Sequence, residues 1–113
     1  MVTHSRQSVF QAIASSARRG LIQELSRGPR TAGVLASRFP ETRPAVARHL
    51  RVLREAGLVS VRRSGRNRVY ELRPAPLRAV RDWLARYERF WSDRLEELAE
   101  FVEAEKSERR RKP

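Results

Sequence analysis

Arg43 and Arg48 stand at the head of one segment, with Pro44 and Ala47 beside them. A guanidinium presents its donors as a planar fork, which fits the O6 and N7 acceptors of guanine as well as it fits a phosphate. Pro44 and Ala47 are small and apolar enough to meet a thymine methyl group. Base reading by Arg43, Pro44, Ala47 and Arg48 is therefore the first expectation. Phosphate contact is the alternative, and residue type alone does not separate the two. Arg51 and Arg54, further along, suit phosphate or an ion pair with Glu55. Thr31 and Thr42 each precede an apolar-periodic segment, where a hydroxyl either caps a helix or bonds a phosphate. Arg62, Arg63, Arg66 and Arg68 surround Gly65 with no acid among them. That pattern suits a basic loop on DNA backbone or a narrow minor groove, or else a solubilising loop.

Other chemistries find no residues. The chain has no cysteine, which excludes disulfides, thiolate metal sites and cysteine nucleophiles. Of its two histidines, His49 follows Arg48 next to an apolar stripe and reads as a half-buried, hydrogen-bonded ring, while His4 stands alone. No metal site, no cofactor and no enzymatic activity are expected, because no nucleophile–base pair, glycine-rich phosphate loop or ligand cluster is present.

The charge supports a polyanionic partner. With 113 residues the chain is long enough for one domain, and its net charge is +12 with a pI near 11.6. Of the 25 basic residues, 23 are arginine. Residues 1–73 carry a net +11, residues 74–105 a net −3, and residues 106–113 a net +4. The anion-binding surface thus belongs to residues 1–73, and Pro74 and Pro76 mark a seam. No apolar run approaches the roughly 18 residues of a membrane span, and the N-terminus lacks a signal-peptide core, so no membrane and a cytoplasmic location are expected.

These side chains need elements to carry them. Apolar spacing predicts helices over about 5–14 and 17–26, a short helix over 32–38 behind Thr31, and a fourth over 43–56. In the fourth, Thr42 offers the cap, Pro44 sits in the first turn, Val46, Leu50 and Leu53 face inward, and Gly57 ends it. Alternation over 58–63 and 68–73, around Ser64-Gly65-Arg66-Asn67, predicts a β-hairpin. The order predicts a mainly α fold with a small β-hairpin: a winged helix-turn-helix over residues 1–73. From Leu77 to Glu105 there is no Gly or Pro, and Leu77, Val80, Leu84, Tyr87, Trp91, Leu95 and Leu98 step by three or four. One long helix over 74–105 packed on the same domain, part of whose stripe meets a second subunit, is expected. The acids of this helix alternate with arginines as a solvated face, and residues 106–113 read as a frayed, disordered basic tail.

The run from Arg43 to Val59 (RPAVARHLRVLREAGLV), followed by Arg66 to Leu72 (RNRVYEL), resembles the ArsR family of bacterial winged-helix repressors. Upstream, Ala12 to Ala14 and Arg18 to Leu25 look like that family's opening helices, and the likeness covers roughly residues 8–73. The resemblance implies a homodimer joined through first and last helices, adding Val9, Phe10 and Ile13 to the interface. It also implies binding of double-stranded DNA at an imperfect inverted repeat, one helix per half-site. Many members release DNA on binding metal through cysteines in the third helix or through Asp, His and Glu on the last. Here the third-helix segment reads Arg30-Thr-Ala-Gly-Val-Leu-Ala36 and the last helix has no histidine, so metal sensing and thiol redox sensing are not expected. A small-molecule inducer stays open. The segment around Trp91, Arg94, Leu95 and Leu98 resembles members encoded beside ligand-binding proteins, and a groove near Phe10, Trp83 and Tyr87 is its candidate site, with plain interface packing as the alternative.

The leading expectation is a sequence-specific dimeric repressor. Competing with it are a non-specific architectural DNA binder, a small RNA-binding protein, and a winged helix that binds protein.

Overall fold

The computed structural model describes residues 5–111. Helix α1 (Ser5–Ala12) turns Val9 and Ala12 inward, and α2 (Ser16–Leu25) starts where the Ser15 hydroxyl accepts the Arg18 N–H at 3.2 Å. The carbonyls that end α1 find side-chain donors. Arg18 Nε donates to Ala12 O at 2.7 Å, and Arg19 Nη1 donates to Ile13 O at 2.8 Å. After Gly28, strand β1 (Arg30–Thr31) leads into α3 (Ala32–Arg38), whose first turn is capped by Thr31 Oγ1 accepting from the Val34 N–H at 3.2 Å.

Helix α4 (Arg43–Glu55) begins at Thr42, whose Oγ1 accepts from the Ala45 N–H at 3.2 Å, with Pro44 in the first turn where no N–H is missed. It ends in a Schellman arrangement. The Gly57 N–H bonds Arg54 O at 3.0 Å and the Leu58 N–H bonds Leu53 O at 2.9 Å, which needs the left-handed φ of +77° that Gly57 adopts. Strands β2 (Val59–Ser64) and β3 (Asn67–Leu72) follow, joined by a two-residue loop with Gly65 at φ +63°. Leu21, Leu35, Leu50, Leu53 and Leu58 are the largest side chains sealed in the core, where truncating a leucine to Ala costs about 2–5 kcal/mol.

The sheet corrects one expectation. It has three strands in the order β1-β3-β2, all antiparallel, with Arg30 opposite Tyr70 and Thr31 opposite Val69. Two residues are too few to show a strand period, so β1 is invisible to pattern reading.

The expected single helix after the prolines is also corrected. A 3-10 turn (Ala75–Leu77) precedes α5 (Arg78–Ala85), and α6 (Glu88–Arg111) is separate from it. The N–H groups of Arg86 and Tyr87 bond back to Trp83 O and Leu84 O at 3.2 and 2.9 Å, three residues away, which tightens and ends the turn. No Gly or Pro stands there, and nothing local explains the break. Helix α6 runs through Arg111, where a disordered tail from 106 was expected; three arginines in its last turn complement the negative end of the helix dipole. One compact unit ends at Val80 and the other begins at Arg81.

Candidate nucleic-acid interface

Val46, Leu50 and Leu53 bury one stripe of α4, and the opposite arc carries Arg43, Pro44, Ala47, Arg48, Arg51 and Arg54, all exposed. None of the four arginines meets a carboxylate among the described residues, so the Arg54–Glu55 pair that the sequence allows does not form. Both Thr31 and Thr42 are spent as acceptors at helix starts, and each hydroxyl keeps a proton to donate.

The hairpin brings its arginines to the same side as the end of α4. Arg63 and Arg68 stand directly opposite each other across β2 and β3, a like-charge pair that costs stability unless an anion lies over it. Arg54, Arg62, Arg63 and Arg68 line one shallow cleft of about 180 Å³ with Val61 at its floor. Arg66 occupies the exposed hairpin loop. At the other end of α4, Arg43 and Ala47 border a cleft of about 140 Å³ closed by Ala32, Gly33 and Ala36 of α3 and by Tyr70. Sequence reasoning did not single out these four lining residues.

Other arginines are used inside the fold. Glu24 on α2 is buried and gathers three of them: Arg30 Nε at 3.1 Å, Arg27 Nη1 at 3.5 Å, and Arg38. The hydrogen bond from Arg30, together with the charge and bond of Arg38, holds the Glu24 carboxyl below its ordinary 4.5, against burial, which pushes it up. His49 is half-buried, with Nδ1 3.3 Å from Arg18 Nη1, the hydrogen-bonded state its position implied. His4 lies outside the described residues.

The expected dimer residues fall into two groups. Val9, 1 % exposed, belongs to the chain's own core, and Ile13 and Leu77 pack partly against that core, so Val9 is removed from the expected interface because nothing of it reaches the surface. Phe10 and Val80 are half-buried. Leu84, Tyr87, Trp91, Leu95 and Leu98 are exposed, Leu95 by 63 %. Around them Trp83 stacks edge-on to Tyr87 and Phe90 to Trp91, with the Arg94 guanidinium over Phe90.

The Arg30–Ala36 segment offers no ligand, and no group of three or more His, Cys, Asp or Glu side chains suited to a metal exists among the described residues. No helix among them is long and apolar enough to cross a membrane.

Comparison with known proteins agrees with this geometry. Residues 13–62 match a family model described as a helix-turn-helix domain. The chain is 41% identical over 101 residues to the HTH-type transcriptional regulator Rv2034 of Mycobacterium tuberculosis, covering 89% of this chain and 92% of that one. It is 31% identical over 80 residues to the transcriptional repressor SdpR of Bacillus subtilis, covering 71% and 89%. The crystal structure of the ArsR family transcriptional regulator RHA00566 aligns with a TM-score of 0.70 at 32% identity, covering 81% of this chain and 95% of that chain. A three-stranded sheet ending in a hairpin, a capped α4 with an exposed arginine face, and this kinship together make the chain a member of the ArsR family of winged helix-turn-helix transcriptional regulators, which are DNA-binding proteins and not enzymes.

Proposed function

We propose that this protein is a homodimeric repressor that binds an inverted-repeat operator, one α4 per half-site. The observation that carries the reading is the set of arginines on α4 and the wing that have no carboxylate partner among the described residues. Arg43 and Arg48 at the leading end of α4 read base edges, with Pro44 and Ala47 against thymine methyls. Arg51, Arg62, Arg63, Arg66 and Arg68, with the hydroxyls of Thr31 and Thr42, hold the DNA backbone and set the register. Arg54 joins them through the cleft it shares with the wing. Kinship with a protein named as a transcriptional repressor supports repression as the outcome of binding. DNA as the ligand implies action in the cytoplasm.

A second copy of the chain covers the apolar stripe of Leu84, Tyr87, Trp91, Leu95 and Leu98, with Phe10 and Ile13 contributing from α1. Trp91, Leu95 and Leu98 are 52 %, 63 % and 57 % exposed, a density of large apolar side chains that a monomer rarely leaves in water.

The test is fluorescence anisotropy at about 150 mM salt with DNA from upstream of the protein's own gene and a scrambled duplex of equal length. Saturation at two subunits per site, with a preference of about a thousandfold or more, is expected. Equal affinity for all duplexes would instead assign the arginine surface to non-specific, architectural binding. Leu95→Glu combined with Leu98→Glu is expected to give a monomer by sedimentation and to abolish specific binding.

A further inference from the structure

A base-reading helix discriminates only if its tilt is fixed, and one polar contact ties α4 to the α1–α2 corner. All three nitrogens of the Arg18 guanidinium are engaged. Nε donates to Ala12 O at 2.7 Å, Nη2 donates to Gln11 O at 3.0 Å, and Nη1 lies 3.3 Å from His49 Nδ1. The two carbonyls belong to the negative end of α1, which attracts a cation, while the third partner sits on α4.

The direction of the third bond follows from chemistry. A guanidinium only donates, so in this hydrogen bond His49 Nδ1 is the acceptor. The Arg18 N–H is itself bonded to Ser15, which fixes the root of the side chain in the first turn of α2. Along α4, the residues three and four positions from His49 are Ala45, Val46, Val52 and Leu53, none with a polar side chain. Within its own helix, therefore, nothing else orients the ring. His49 lies directly beside Arg48 in sequence and outside the exposed arginine arc, so it acts on the DNA face only by holding the helix that presents it.

We propose that Arg18 and His49 are a positioning pair: they set α4 against the end of α1, and so contribute to sequence discrimination rather than to charge-driven DNA affinity. The inference rests on the DNA-binding reading above.

The wild-type protein first selects an operator from a random-sequence duplex pool. Affinities for that duplex and for a scrambled one are then measured by anisotropy, with thermal unfolding, for Arg18→Gln, His49→Leu, the double variant and His49→Asn. Asn places Oδ1 where the ring holds Nδ1, and so keeps the acceptor. Arg18→Gln and His49→Leu are each expected to lower the operator-to-scrambled ratio about tenfold, and the double variant no further. Binding to the scrambled duplex is expected to stay within about twofold, and His49→Asn to retain the ratio. Losses that add in the double variant, a ratio lost in His49→Asn at unchanged unfolding temperature, or a ratio untouched by His49→Leu would overturn the pair. If Arg18→Gln does not fold, the contrast between His49→Leu and His49→Asn decides alone. A wild-type protein that enriches no sequence overturns the DNA-binding reading and the pair with it, a result distinct from any of these.

Discussion

Around Glu24 the guanidinium groups of Arg27, Arg30 and Arg38 close on one buried carboxylate, and at the α1–α2 corner those of Arg18 and Arg19 close on backbone carbonyls. Along α4 and the wing, Arg43, Arg48, Arg51, Arg54, Arg62, Arg63, Arg66 and Arg68 meet no carboxylate among the described residues. Both regions are rich in arginine, five side chains in the first and eight in the second, and they differ in whether the fold consumes it. A net charge suits a polyanionic partner, and the partners of each side chain separate the arginines that the fold uses from those it leaves exposed. The ion pairs of the second unit, such as Arg94–Glu97 at 3.9 Å, are exposed and contribute little either way.

The sharpest way to break this contrast is to remove the leading pair on α4. Arg43→Ala with Arg48→Ala is expected to cost about 2–6 kcal/mol in operator binding, from about 1–3 kcal/mol per bidentate contact, while thermal unfolding stays unchanged. A large drop in unfolding temperature would mean that these arginines are structural after all.

Glu24→Gln tests the other region, and its signature is stability and not DNA contact. Because the native carboxyl titrates below its ordinary 4.5, its contribution is present above that pH and is lost as pH falls through the native value. The wild type is expected to unfold at a higher temperature than Glu24→Gln at neutral pH, and the gap to close below pH 4.5. A gap that persists in acid would show that hydrogen-bond geometry and not charge holds Arg30 and Arg38.

The smallest effect sharpens the picture at the wing. Arg63→Ala removes one half of the like-charge pair with Arg68, so it is expected to raise stability by about 0.2–1 kcal/mol. It should also weaken binding uniformly across sequences and reduce the salt slope by about 0.9. Chemical denaturation and a salt titration of the anisotropy signal measure the two.

Local chemistry made α4 legible in the sequence. Thr42, Pro44, the Val46–Leu50–Leu53 stripe and Gly57 each act within a few residues of where they stand, and the structure places helix, cap and end there. The same holds for the hairpin around Gly65. What stayed hidden is non-local or unmarked. Strand β1 exists only through pairing with β3, some forty positions later. The Arg18–His49 contact spans 31 residues and the Arg38–Glu24 contact 14, and no periodicity encodes either. The break at Arg86 and Tyr87 carries no Gly or Pro to announce it. Helix α6 continues into Lys106–Arg111 without a single apolar residue, where apolar spacing had nothing to count.

The Schellman turn at Gly57 has a consequence for how such a protein acquires new targets. The Leu58 backbone is held on both sides, its N–H by Leu53 O and its carbonyl by the Arg73 N–H at 2.7 Å, so α4 passes into the hairpin without a free hinge. In the proposed DNA complex, the distance along the duplex between the bases under α4 and the groove under the wing would then be a constant of the backbone, a built-in ruler. Descendants of this chain are free to change the letters they read by exchanging single side chains; the spacing between those letters is inherited with the fold.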